Sequence, residues 1–211
     1  MILPAEFRPI TEETGLIVPM GRHTLREACH RSKDWQDEGR RPLTVSVNLS
    51  VRQLQDADLL TDVSLALEES GLAPRDLNLW ITESALMGDV PKNVAVLRGL
   101  KALGVRIAID DFGTGYSSLS YLERFPVDVL KVDRSFVGRL GRDAKGEALV
   151  RAVIDLARAL DLDVVAEGVE TAEQAEELAR LGCEVAQGYH FASPLDPEEV
   201  SEFLLVQSQL L

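Results

Sequence analysis

The chain has 211 residues, is 45% hydrophobic, and sets 35 acidic residues against 22 basic ones for a formal net charge of −13. That acidity excludes general affinity for DNA or RNA backbones, whose phosphates require a basic face. No apolar run approaches the roughly 20 residues of a bilayer span, and Met1-Ile2-Leu3-Pro4 lacks the basic and apolar regions of a secretory leader, so a cytoplasmic location without membrane contact is expected.

The predicted elements begin with two helices, over 5–14 and 16–38. Short β-branched runs then read as strands at 43–49, 77–82, 105–110, 127–133, 163–167 and 184–187. Amphipathic stretches at 57–70, 91–103, 117–124, 145–160, 172–181 and 197–207 read as helices between and after them. Strict alternation of strand and helix implies a parallel sheet in a single domain spanning 1–211. Cys29 and Cys183 have no CxxC spacing and are expected to be buried, reduced thiols.

Residues two apart in a strand share a face. Thr44, Ser46 and Asn48 therefore align opposite Val45 and Val47. Arg106, Ala108 and Asp110 align opposite Ile107 and Ile109, Lys131 aligns with Asp133, and Val165 with Glu167. Several strands thus end in a polar group on one parity, which is the pattern of the mouth of a TIM-like α/β barrel. An open doubly wound sheet is the alternative, but it gathers its site at one switch point.

The strand-end set is Asn48, Asp110, Asp111, Lys131, Asp133, Glu167 and Gln187. Asp110 and Asp111 open the segment Ile109-Asp110-Asp111-Phe112-Gly113-Thr114-Gly115-Tyr116-Ser117-Ser118. Its glycines permit a tight loop, and Ser117 or Ser118 can cap the next helix. Two adjacent acids repel unless a cation offsets them. Carboxylates with an Asn carbonyl suit Mg²⁺ or Mn²⁺, and two metals bridged by Asp form a clamp for attack on a phosphodiester. The plainer alternative is that these side chains cap helices or pair across the barrel. Asp111-Phe112-Gly113 lacks the other protein-kinase motifs, and Gly113-Thr114-Gly115 lacks the third glycine of a dinucleotide fingerprint. His23, His30 and His190 show no metal-ligand spacing, and Trp35 reads as packing. Tyr189 reads either as rim packing or as a base-stacking surface.

These segments together resemble the EAL domain family, which hydrolyses the bacterial messenger cyclic di-GMP. The resemblance runs through Glu13-Thr14-Gly15-Leu16-Ile17, Ser46-Val47-Asn48-Leu49-Ser50, Ile81-Thr82-Glu83-Ser84, Ile109 to Ser118, Leu130-Lys131-Val132-Asp133, Ala166-Glu167-Gly168-Val169-Glu170 and Gln187-Gly188-Tyr189. It implies a TIM-like barrel and a Mg²⁺- or Mn²⁺-dependent cleavage to linear pGpG. By matching motif, Asn48, Asp110, Asp111 and Glu167 are the implied metal ligands, and Lys131 holds the attacking water. Gln187 supports the site, and Glu83 anchors the loop from Asp111 to Ser118. A homodimer and an upstream sensor or GGDEF-type domain are further implied partners.

Two departures stand out. The family's first two strands, the second with its Glu-Ala-Leu signature, have no counterpart before Met1, so the domain is expected to be incomplete at its N-terminus, with Met1 an internal methionine. Glu147-Ala148-Leu149 imitates the signature but falls at a helix start. Where the family has a metal-binding Glu, Leu79-Trp80-Ile81-Thr82-Glu83 carries Trp80, which by parity faces the mouth with Asn78 and Thr82. With two ligands missing, metal binding is expected to be weak. The chain then reads as a catalytically impaired cyclic di-GMP-binding or partner-binding module. An active phosphodiesterase and a nucleotide-free interaction surface are the alternatives.

Overall fold

The computed structural model describes residues 4–38, 43–113 and 122–209. Helices α1 (Pro4–Thr14) and α2 (Ile17–Asp37) precede six parallel strands: β1 (Val45–Leu49), β2 (Leu77–Thr82), β3 (Arg106–Phe112), β4 (Val129–Val132), β5 (Asp163–Glu167) and β6 (Val185–Gln187). They hydrogen-bond in sequence order, β1 to β6, as a parallel α/β sheet, and among the described residues helices cross over between β1 and β2, β2 and β3, β4 and β5, and β5 and β6. Among the described residues no pairing returns from β6 to β1, so the sheet is a curled part-barrel with a gap between its first and last strands.

The crossovers are α4 (Leu59–Ser70), α6 (Val90–Ala102), α8 (Ala144–Ala159) and α9 (Ala172–Leu181), and α10 (Pro197–Gln209) closes the chain. Their apolar stripes meet the outward strand face. Leu77, Leu79, Ile81, Ile107 and Leu130 are fully buried there, against Val63, Leu97 and Leu100 of the helices. Each such side chain contributes roughly 2 kcal/mol through burial. A second cluster, including Val132, Val150, Ile154, Ala166 and Leu178, extends this core along β4 and β5. The outward parity of the strands is therefore apolar, which leaves the inward parity free for polar groups.

Three one-turn helices sit at strand ends where the sequence predicts none: α3 (Val51–Leu54), α5 (Glu83–Leu86) and α7 (Arg134–Val137). Ser50 and Gln53 close a reciprocal capping box on α3, and Asp133 caps α7 by accepting the Ser135 N–H at 2.9 Å. Strand β4 starts at Val129, later than predicted, and Asp128 stands just before it. Its carboxylate accepts the Ile107 N–H at 2.8 Å and Lys101 Nζ at 2.7 and 2.9 Å. Most of the predicted helix over 117–124 lies outside the described residues, as do Gly115, Ser117 and Ser118. Cys29 and Cys183 are buried free thiols, and Trp35 donates its indole N–H to Ser201 Oγ at 3.0 Å, joining α2 to α10.

Candidate functional site

Parallel strands bring all their C-terminal ends to one rim, and β3 supplies two acids there. Its pairing with β4 slips between Ile109 and Phe112, and Asp111 adopts φ 56°. The strand therefore does not stop at the acids, as the sequence suggests, but carries them in a bulge and continues to Phe112. In a regular strand, neighbouring side chains point to opposite faces. The bulge suspends that alternation, and carboxylate oxygens of Asp110, Asp111 and Glu167 all lie within 4.8 Å of one another. Asp110 also accepts the Asp111 N–H at 2.9 Å, which fixes the turn.

Gly113, the last described residue before residue 122, has a neighbour on each of two sides. The Gly113 N–H donates to Glu83 Oε2 at 3.2 Å, which ties Glu83 to the end of β3. Gly113 has φ +88°, and a Cβ there would lie 3.2 Å from the Phe136 ring of α7. Backbone conformation and close approach both require glycine at this point.

Lys131 on β4 is 4% exposed. Its Nζ lies 3.1 Å from Asp110 Oδ1, is ion-paired with Glu167 Oε2, and sits 4.0 Å from the centroid of the Trp80 ring. Trp80 therefore faces inward, as its parity requires, and stacks on the ammonium in a cation–π contact. Strand register places Trp80 between Asn48 of β1 and Ala108 of β3, one level below the Thr82–Asp110 pair. The indole also lines the lumen beneath the rim, a cavity of about 750 Å³ bounded by Ser46, Asn78, Arg106, Asp163 and Gln187 among others.

Gln187 pairs in register with Glu167, so it flanks the cluster from β6. A Cβ on Gly188 would fall 2.1 Å from the Val169 carbonyl, and this contact fixes the chain just after Gln187. Asn48 is exposed on edge strand β1, within register of Trp80. The structure thus gathers Asp110, Asp111, Lys131 and Glu167 into direct contact range, and sets Asn48 and Gln187 on the two edge strands. Tyr189 is 72% exposed, so it is not part of the core. Glu147, at the start of α8, is bound by Arg151 and Arg180, whose hydrogen bonds hold its carboxyl below the usual range. It belongs to a surface ion-pair network, and the Glu147-Ala148-Leu149 imitation has no part in the rim.

Burial, then the neighbouring charges of Asp110, Asp133 and Glu167, raise the Asp111 pKa above the ordinary carboxylate range, against a smaller opposing effect of Lys131. The charged form is therefore costly in the fold. Three hard oxygen donors in this cluster suit one divalent cation of the Mg²⁺ or Mn²⁺ class. An Asp111→Asn variant keeps the left-handed backbone and removes the charge. Its melting temperature should rise by about 1–3 °C near pH 8, a small value because the site is partly solvent-screened. A raised folded-state pKa weakens the native protein as pH climbs through it, so the gain should vanish at acidic pH where Asp111 is protonated. Thermal melts at both pH values measure it; an equal or lower melting temperature at pH 8 would mean that Asp111 bears no such strain.

The sequence pattern that defines the EAL domain family matches residues 1–194. The bifunctional diguanylate cyclase/cyclic di-GMP phosphodiesterase MucR of Pseudomonas aeruginosa is 45% identical over 200 residues, covering 95% of this chain and 29% of MucR. The cyclic di-GMP phosphodiesterase NbdA of the same organism is 42% identical over 201 residues, covering 95% of this chain and 26% of NbdA. This chain thus spans under a third of the length of either relative. The solved PaMucR phosphodiesterase in complex with c-di-GMP superposes with a TM-score of 0.90 at 45% identity, covering 94% of this chain and 81% of that one.

Proposed function

The chain belongs to the EAL domain family, and from that premise we propose that it is a cyclic di-GMP-binding signalling domain whose hydrolysis of the ligand to linear pGpG is strongly reduced. The observation that carries this reading is the place of Trp80. At the position where the family has a metal-binding Glu, the rim has an indole packed against Lys131. An indole offers no ligand to a hard cation, and its bulk fills the space beside the carboxylates.

In this reading Lys131 supplies the positive charge that an anionic phosphodiester meets in an otherwise acidic mouth. Glu83 holds the loop that begins at Gly113, and Gln187 and Asn48 offer amide hydrogen bonds from the two edges. Asp110, Asp111 and Glu167 are the groups that would hold a Mg²⁺ or Mn²⁺ ion. When bound, that ion would polarise the phosphoryl oxygens and lower the pKa of water. The domain is proposed to work within a longer regulator beside a sensor or GGDEF-type domain, and to pair with a second copy. The bifunctional character of MucR supports the first of these.

A second reading, an active Mg²⁺- or Mn²⁺-dependent phosphodiesterase, is favoured by the intact cluster of Asp110, Asp111 and Glu167. Calorimetric titration with cyclic di-GMP, combined with chromatography of the products, separates the two. The proposal expects saturable binding with pGpG release at least about 100-fold slower than in MucR assayed alongside, because even an outer-shell partner of a metal site commonly costs about 10- to 100-fold and Trp80 takes the place of a ligand itself. Turnover comparable to MucR sinks it in favour of the second reading, and a folded chain that binds no cyclic di-GMP sinks both.

A further inference from the structure

Helix α5 is a single turn, Glu83–Leu86, and it starts one residue after Thr82, the β2 partner of Asp110. A helix that short does not persist alone, because nucleation costs more than so few hydrogen bonds offset. The carbonyls of Ala85 and Leu86 end the turn, so no later helical N–H reaches them. Asn93, 3% exposed near the start of α6, satisfies both. Its Nδ2 donates to the Ala85 carbonyl at 3.1 Å and to the Leu86 carbonyl at 2.9 Å. A side-chain amide has two N–H donors, and both are used on α5.

The same turn carries Glu83, which is buried and whose Oε2 accepts the Gly113 N–H at 3.2 Å. Gly113 lies two residues past Asp111, the φ 56° residue of the bulge. Burial of Ala85 and Leu86 presses α5 onto the core, but apolar burial has no direction. The two Asn93 bonds are directional and fix the turn about its own axis, which sets where Glu83 points. We infer that Asn93 is a positioning residue for the carboxylate cluster: through α5 it aims Glu83 at Gly113, and so fixes Asp111 against Asp110 and Glu167. The inference rests on the cyclic di-GMP reading for the nucleotide, whereas its effect on a divalent ion is independent of that reading.

Asn93→Leu nearly keeps the shape of the side chain and removes both donors. Asp89→Ala is the control. It removes the N-cap of α6, where Asp89 Oδ1 accepts the Lys92 N–H at 3.2 Å, and leaves the Asn93 bonds to α5 in place. Melting curves should show both variants folded and both less stable, by about 2–8 °C. Mn²⁺ binding is read by electron paramagnetic resonance without nucleotide, and cyclic di-GMP binding by calorimetry in millimolar Mn²⁺. Asn93→Leu should weaken both about three- to tenfold, less than the loss of a group that touches a metal ligand, while Asp89→Ala stays within about twofold of wild type. Glu83→Ala should weaken Mn²⁺ binding at least as much as Asn93→Leu. Adding Asn93→Leu to it should cost less than about a further twofold, because the two residues act in series.

An Asn93→Leu variant that melts lower yet keeps wild-type Mn²⁺ affinity overturns the inference, since Asn93 then only supports the fold. So does an equal loss of affinity in Asp89→Ala, or a double variant in which the two losses multiply in full. If Asn93→Leu does not fold, Asn93→Ala is read against the same controls with the same expectations. If wild type binds Mn²⁺ and no cyclic di-GMP, the functional reading fails, and the Mn²⁺ affinities alone decide the role of Asn93. A folded wild type that binds neither sinks both.

Discussion

Trp80→Glu, made in the longest natural chain that carries this sequence, is expected to raise Mn²⁺-dependent pGpG release by about 10- to 100-fold, the scale on which a single group at a metal site changes affinity or activity. The reason lies in what the substitution exchanges. It removes the aromatic face that holds Lys131 against Asp110 and Glu167, and it adds a carboxylate on the same inward parity, one level below Asp110. The new acid joins Asp110, Asp111 and Glu167, so without metal the extra negative charge should lower the melting temperature. Millimolar Mn²⁺ should restore it, because ligand binding to the native state stabilises by mass action. Steady-state product release and paired melting curves measure both effects. Unchanged turnover together with an unchanged response to Mn²⁺ would mean that Trp80 does not limit the site.

Removing the ammonium is expected to have the larger effect on stability. In Lys131→Met, Asp110 and Glu167 lose the charge between them, and Asp110 is left buried. Breaking one side of a buried ion pair costs several kcal/mol. Glu167 retains partial solvent access, so about 2–4 kcal/mol is the expected loss, or roughly 5–12 °C in melting temperature for a chain of this size. The same vacancy of charge should make the variant unusually responsive to divalent ions. Millimolar Mn²⁺ should recover a good part of the loss, where wild type gains little. Differential scanning calorimetry with and without Mn²⁺ checks this, and a melting temperature unchanged by the substitution would show that the cluster is not organised around Lys131.

Much of this arrangement is legible in the sequence because strand parity is a local rule. The predicted bounds of β2, β5 and α9 coincide with the structure, and parity alone places Trp80, Asp110, Lys131 and Glu167 on the inner face. The barrel-like layout follows from strict alternation of short β-branched runs and amphipathic stretches. What the residues do to one another is less legible. The bulge that turns both Asp110 and Asp111 to the mouth arises from a slip in pairing with β4, some 20 residues away, and no local pattern announces it. The stacking of Trp80 on Lys131 joins β2 to β4 across β3, a contact that register determines but sequence distance hides.

The one-turn helices α3, α5 and α7 are too short for a 3.6-residue period to show. Only their caps speak for them, such as Ser50 with Gln53, which is a readable capping box. Asp133 illustrates how a plain structural role can sit inside a functional pattern. It belongs to the strand-end polar set, yet its carboxylate caps α7, and its charge is one of those that raise the pKa of Asp111.

The central claim is that this EAL domain retains cyclic di-GMP and does not cleave it efficiently, because Trp80 and Lys131 occupy the place of metal chemistry. A single-turnover experiment tests it most directly, with protein in excess over cyclic di-GMP in saturating Mn²⁺, quenched over a time course and resolved into cyclic di-GMP and pGpG. The account predicts that wild type returns nearly all of the nucleotide intact after an interval in which Trp80→Glu has converted most of it. Rapid and complete conversion by wild type, at a rate that Trp80→Glu does not exceed, would contradict it.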